Sequence, residues 1–185
     1  SLEHNLQVFE SIRSRRALGV TQLVLGEVAD DLGRRDEALS FYRNALENAE
    51  AVKSLDGIAS AQQLLGSLYL NMEQPLEAIP LLEESRNSWI EQENDWERNQ
   101  TEAVLGLALL TVGQKARAEE SASVGWEAFK SHKIMGEKPQ RWLWSLYRLL
   151  LGLNQSDRAQ EILQGAYAEL QRQAKNIREP GMRRG

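Results

Sequence analysis

Side-chain catalysis needs an acid, a base or a nucleophile held together, and residues able to supply one are sparse in this chain. His4 and His132 are the only histidines. They lie too far apart in sequence to converge if the chain is a stacked array, and neither stands in the H-E-x-x-H spacing that puts two imidazoles on one zinc ion. No cysteine occurs, which removes thiolate ligands, thiol nucleophiles and disulfides together and permits a reducing compartment. Gly113-Gln114-Lys115 lacks the G-x-x-x-x-G-K-[ST] frame of a phosphate loop. The run from Asp30 to Glu37 sets acids beside Gly33 as a calcium loop would. Its spacing fails the D-x-[DN]-x-[DN]-G pattern, and it reads as a solvated turn before a helix. Two arginine clusters, Arg13-Ser14-Arg15-Arg16 and Arg178 with Arg183-Arg184, carry the forks that suit phosphate. No aromatic residues interleave with them.

Composition points the same way. Twenty-seven acids against 22 bases give a net charge of −5, the wrong sign for general nucleic-acid affinity. The longest apolar run, around Leu149 to Leu151, falls far short of the roughly 20 residues that span a bilayer, and the N-terminus has no uninterrupted hydrophobic stretch of the signal-peptide kind. The expectation is a cytoplasmic, non-catalytic protein without metal or cofactor, whose partners are neither nucleic acid nor membrane. The chain opens without methionine and stops just after an apparent helix, which reads as a fragment of something larger. With 42% hydrophobic residues in 185, it can bury a continuous core.

An internal repeat organises that core. LVLGEVADDLGRRDEALSFYRNAL, QLLGSLYLNMEQPLEAIPLLEESR and AVLGLALLTVGQKARAEESASVGW align without a gap at a 40-residue period, and WSLYRLLLGLNQSDRAQEILQGAY follows with one extra residue. One column reads Leu25, Leu65, Leu105, Leu146, and the next Gly26, Gly66, Gly106, Tyr147. Twelve residues after the latter come Ala38, Ala78, Ala118 and Ala159. A leucine beside a glycine, with a small residue twelve positions on, suits two antiparallel helices that approach closely across a short turn. The column Phe9, Ala49, Trp89, Phe129, Leu170 runs one copy further toward the N-terminus.

Apolar spacing of three and four, with turns at Gly33, Glu73-Gln74-Pro75, Gly113 and Asn154, predicts helices over 2–14, 16–32, 35–53, 56–72, 75–93, 96–112, 115–133, 139–153 and 156–177. A loop at 134–138 holds the extra residue. Residues 1–14 are then the second helix of a truncated preceding repeat. Four hairpins follow over 15–54, 55–94, 95–134 and 135–177, and 178–185 forms a tail. Pro80, inside the predicted 75–93 helix, should bend it slightly. Trp142 and Trp144 stand two apart on one helix, so they point about 200° apart and cannot both face a core.

The leucine-glycine pair, Tyr69 and the alanines twelve residues after each glycine resemble the tetratricopeptide repeat signature across residues 15 to 177. Two departures stand out: a period of 40 rather than the usual 34, and Tyr147 at the signature glycine. The resemblance implies an all-α, right-handed superhelical array of helix hairpins, an α-solenoid that binds a protein or peptide segment in its concave groove. The long period and the closing segment, from Arg141 to Ile177, resemble C-terminal arrays of large bacterial signalling ATPases, cyclases and transcriptional activators. A small-molecule effector sensor of such a regulator, or a self-assembly module with a homodimer through terminal repeats, are the alternatives.

By the same resemblance, groove positions lie six and three residues before each signature glycine and one, four and five after it. They include Glu27, Asp30 and Asp31 in the first copy, Gln63, Ser67 and Asn71 in the second, Gln100 in the third, and Arg141, Trp144 and Arg148 in the fourth. The wall so drawn passes from acidic, through amide and hydroxyl, to a basic end with an indole. Arg141, Trp144 and Arg148 share one helix face, where two guanidiniums and an indole can hold an anionic group or a terminal carboxylate. Leu23 and Glu27 stand where chaperone-binding arrays place their carboxylate clamp, which argues against that clamp here.

Overall fold

The computed structural model describes residues 2–131 and 139–176, with side chains for 10–131 and 139–174. His132, the 134–138 loop and the 178–185 tail with Arg178, Arg183 and Arg184 lie outside the described residues, as do the side chains of His4 and Phe9. Eight α-helices follow one another among the described residues: α1 (Leu2–Asp31), α2 (Arg35–Ala51), α3 (Leu55–Asn71), α4 (Pro75–Glu91), α5 (Asp95–Thr111), α6 (Lys115–Lys130), α7 (Pro139–Gly152) and α8 (Ser156–Asn176).

The turns obey one rule. Gly33, Lys53, Glu73, Glu93, Gly113 and Asn154 all have positive φ, the first five at intervals of 20 residues and Asn154 one lengthened repeat after Gly113. In each, the N–H of the following residue reaches back to the carbonyl five positions earlier, from Arg34 to Ala29, Ser54 to Ala49, Gln74 to Tyr69, Asn94 to Trp89, Gln114 to Leu109 and Gln155 to Leu150, at 2.8 to 2.9 Å. This is the left-handed helix stop that satisfies orphan carbonyls. Four of the six stops use a residue with a side chain, at a cost of about 1 kcal/mol or more each in that conformation. The expected stop before residue 15 does not form. Residues 2–14 and 16–31 make one 30-residue helix, because Ser14-Arg15-Arg16-Ala17 contains neither glycine nor proline and arginine, alanine and leucine favour continuation. Pro75 opens α4 and Pro80 sits inside it without ending it.

The chain forms two compact units, Ser1–Thr101 and Glu102–Gly185, whose boundary falls within α5. In the first, α2 packs against α1 and α3, and α4 against α3. Its core joins Ala29, Ala38, Tyr42, Leu65 and Leu68. The glycine column sets the approach: a Cβ on Gly66 would fall 2.6 Å from Leu82 Cγ and 3.3 Å from the Ala78 carbonyl oxygen. In the second unit α6 meets α7 and α7 meets α8. Leu105, Leu109, Trp142, Leu143, Leu146, Leu149 and Ile162 are buried there. A Cβ on Gly125 of α6 would fall 2.8 Å from Leu146 Cδ1, so leucine of the repeat column seats on the small residue of the helix before it. Trp126 of α6 lies beneath both Lys130 Nζ, 5.3 Å from the ring, and Arg158 of α8, 5.1 Å from it. Lys130 also reaches Glu161 of α8 at 3.2 Å.

Candidate interaction surface

First helices of successive hairpins touch in the first unit, where α1 meets α3, and this neighbourhood brings expected groove residues together. Gln63 of α3 is its hub. The Gln63 side-chain oxygen accepts from Trp89 Nε1 at 3.2 Å and from Thr101 Oγ1 at 2.8 Å. Its amide also hydrogen-bonds the Glu97 carboxylate, which receives Gln100 Nε2 at 3.0 Å. Burial pushes the Glu97 carboxyl above its ordinary range; the Gln63 hydrogen bond lowers it, and the nearby Glu27 carboxylate raises it again. Glu27, Gln63 and Gln100 thus converge, all half-buried, on an acid that the groove positions omitted. Glu97 lies nine residues before Gly106, one helical turn beyond the positions taken from the resemblance, and continues their three- and four-residue spacing.

The remaining first-unit residues play smaller parts in this network. Ser67 donates its hydroxyl to the Gln63 main-chain carbonyl at 2.8 Å, within α3. Asp30 is half-buried, while Asp31 and Asn71 are exposed at the ends of α1 and α3.

In the second unit α7 carries both tryptophans, and their two-residue spacing separates them. Trp142 is buried in the core, whereas Trp144 is 56% exposed. Trp144 stacks on Tyr147 with ring centroids 5.5 Å apart and planes inclined by 23°. Arg141 and Arg148 are exposed on the same helix, three and four residues either side of Trp144. The residue that replaces the signature glycine therefore braces the exposed indole. Among the described residues no group of histidine, aspartate and glutamate side chains is placed to hold a metal ion, and no helix is long and apolar enough to cross a membrane.

Helical hairpins repeating every 40 residues, each closed by the same left-handed stop, define a helical-repeat protein with the architecture of an α-solenoid. A family model described as tetratricopeptide repeat matches residues 21–52, which run from the middle of α1 through α2, and eight consecutive helices are consistent with an array of such repeats. The crystal structure of BtubC (BKLC) from P. vanneervenii is similar in fold, with a TM-score of 0.62 at 16% sequence identity. The likeness covers 88% of this chain and 66% of that one, so this chain spans just under two thirds of its length. No curated protein matches the sequence.

Proposed function

We propose that this chain is a non-catalytic interaction module that holds a protein or peptide segment along the faces of its first helices, α1, α3, α5 and α7. Helical repeats of this kind generally bind protein or peptide partners, and the observation that carries the reading here is the outward face of α7. An exposed indole braced by Tyr147 and flanked by Arg141 and Arg148 offers a rigid aromatic anchor with two cations. Such residues dominate protein interfaces, because aromatic and guanidinium groups bury much area at low entropic cost. An acidic side chain or terminal carboxylate of the partner is the complement. In the first unit, Asp30, Asp31 and Asn71 at the ends of α1 and α3 present acids and an amide that suit a basic or polar stretch of a partner. The finer setting, a cytoplasmic regulatory part of a larger bacterial signalling protein, draws its support from the absence of cysteine and from the resemblance of residues 141–177 to the ends of such arrays.

A pull-down with identified partners tests this, using the chain and an Arg141→Glu, Arg148→Glu double variant of equal helicity by circular dichroism. Both positions are exposed, so the variant folds. The expected result is a protein retained by the chain and lost by the variant. Equal capture by both removes α7 from the binding surface.

A further inference from the structure

The repeat columns are buried in the interior copies, apart from Phe129 of α6, which is half-buried, and they are open at the two ends, and the two openings match. On the first helices, Ala61, Thr101 and Trp142 are buried, as are Leu65, Leu105 and Leu146, and Leu68, Ala108 and Leu149. Their counterparts on α1 are Thr21, Leu25 and Val28. Thr21 is exposed, Leu25 is 43% exposed and Val28 51%. On the second helices, Tyr42, Ala45 and Ala49 of α2 are buried, as are Leu82, Ser85 and Trp89 of α4. The counterparts on α8 are Leu163, Ala166 and Leu170, with both leucines 50% exposed. Each end therefore shows half of the contact that the interior makes repeatedly.

We propose that a second copy of this chain supplies the missing half, with α8 of one copy docking on α1 of the next in the register by which α6 meets α7. The contact inside the chain is its template. Gly125 of α6 takes Leu146 of α7, so Ala166, in the place of Gly125, takes Leu25, in the place of Leu146. Ala49 at the end of α2 lies over Gly57 at the start of α3, where a Cβ would stand 3.0 Å away, so Leu170 comes to lie over Ala17. Tyr147 fills the slot left elsewhere by glycine, and the residue arriving there is Val28, smaller than the Leu68 and Leu149 of the same column. The straight course of α1 leaves its face open. A stop at Arg13, twenty residues before Gly33 and matched in sequence to Lys53, would instead fold residues 2–12 across it.

The contact joins two different faces, so it grows head to tail and does not close as a two-fold dimer. Sedimentation velocity on the full chain at rising concentration tests it, with Leu25→Glu and Leu163→Glu as variants. Both sites are exposed and glutamate is a good helix former, so each variant folds. The chain is expected to rise from its 21.0 kDa unit through a ladder of multiples, with each variant weakening association about tenfold or more. An equimolar mixture of the two variants retains one good face on each and forms a dimer and nothing larger. A chain that stays at its unit mass at every concentration, as it would if its own residues 2–12 covered α1, overturns the proposal. So does self-association by the Leu25→Glu chain alone equal to that of the unaltered chain, which would mean that α8 faces pair with each other.

Discussion

The polar residues at equivalent places on the first helices behave differently in the two units. In the first unit Gln63 and Gln100 are turned on Glu97, with Trp89 and Thr101 donating into the same centre. In the second unit Arg141, Trp144 and Arg148 are exposed on α7, where the indole stacks on Tyr147 of the same helix. One helical register yields an internal clasp in one place and an exposed face in the other. A place on the first-helix face does not by itself make a residue available to a partner, because the side chains of Gln63 and Gln100 are taken up by hydrogen bonds within the unit.

Substitution separates the two behaviours, and the largest effect lies within α7. Trp142→Ala is expected to cost about 3–5 kcal/mol in urea unfolding, because it empties a fully buried site. Trp144→Ala two residues away is expected to cost less than about 1 kcal/mol. Equal costs would make the exposed face part of the core and erase the contrast. Next in size, Gln63→Ala leaves the buried indole N–H of Trp89 without its acceptor and the Thr101 hydroxyl with only the Glu97 main-chain carbonyl. A loss of about 2–3 kcal/mol is expected by thermal or urea unfolding.

Glu97 provides a pH signature for the same clasp. Its folded-state pKa lies above the ordinary 4.5, so the folded state binds the proton more tightly than the unfolded chain. That stabilisation is complete below pH 4.5 and is lost as pH rises through the folded pKa. Unfolding free energies measured upward from pH 4.5 should fall in the unaltered chain, and the fall should be absent in Glu97→Gln. Asp56, lowered chiefly by its Ser54 hydrogen bond, and Glu169, lowered chiefly by Arg172, act with the opposite sign. Their stabilisation is lost only as pH drops below 3.8 and 4.5, outside that window. A slope unchanged by Glu97→Gln would remove Glu97 from the clasp. The smallest effect belongs to Arg148→Ala, expected within about 0.5 kcal/mol of the unaltered stability; a larger loss would mean that the arginine is spent on the fold.

Much of the fold was legible because a 40-residue period leaves little freedom. Glycine, asparagine or proline marked the turns at Gly33, Glu73, Gly113 and Asn154, and those residues carry the left-handed stops. The stops at Lys53 and Glu93 have no glycine or proline beside them, and a lysine or glutamate enters that conformation only when packing on both sides fixes the turn. The converse holds at Arg13, where the period calls for a stop and α1 runs through it. In the candidate surface, spacing alone told that Trp142 and Trp144 face opposite ways, and burial decided which is inside. Glu97 escaped notice because nothing in one helix's sequence reveals that amides from two other turns and a carboxylate from α1 will gather around it.

The most direct test of the recognition faces is site-specific photocrosslinking to the partner identified by pull-down. A photoreactive residue is placed at Asn71 or Arg148 on first helices, or at Asn87 or Glu120 on the exposed sides of second helices. Crosslinks from Asn71 and Arg148, with none from Asn87 and Glu120, are the predicted result. Crosslinks confined to Asn87 and Glu120 would contradict recognition by the first helices.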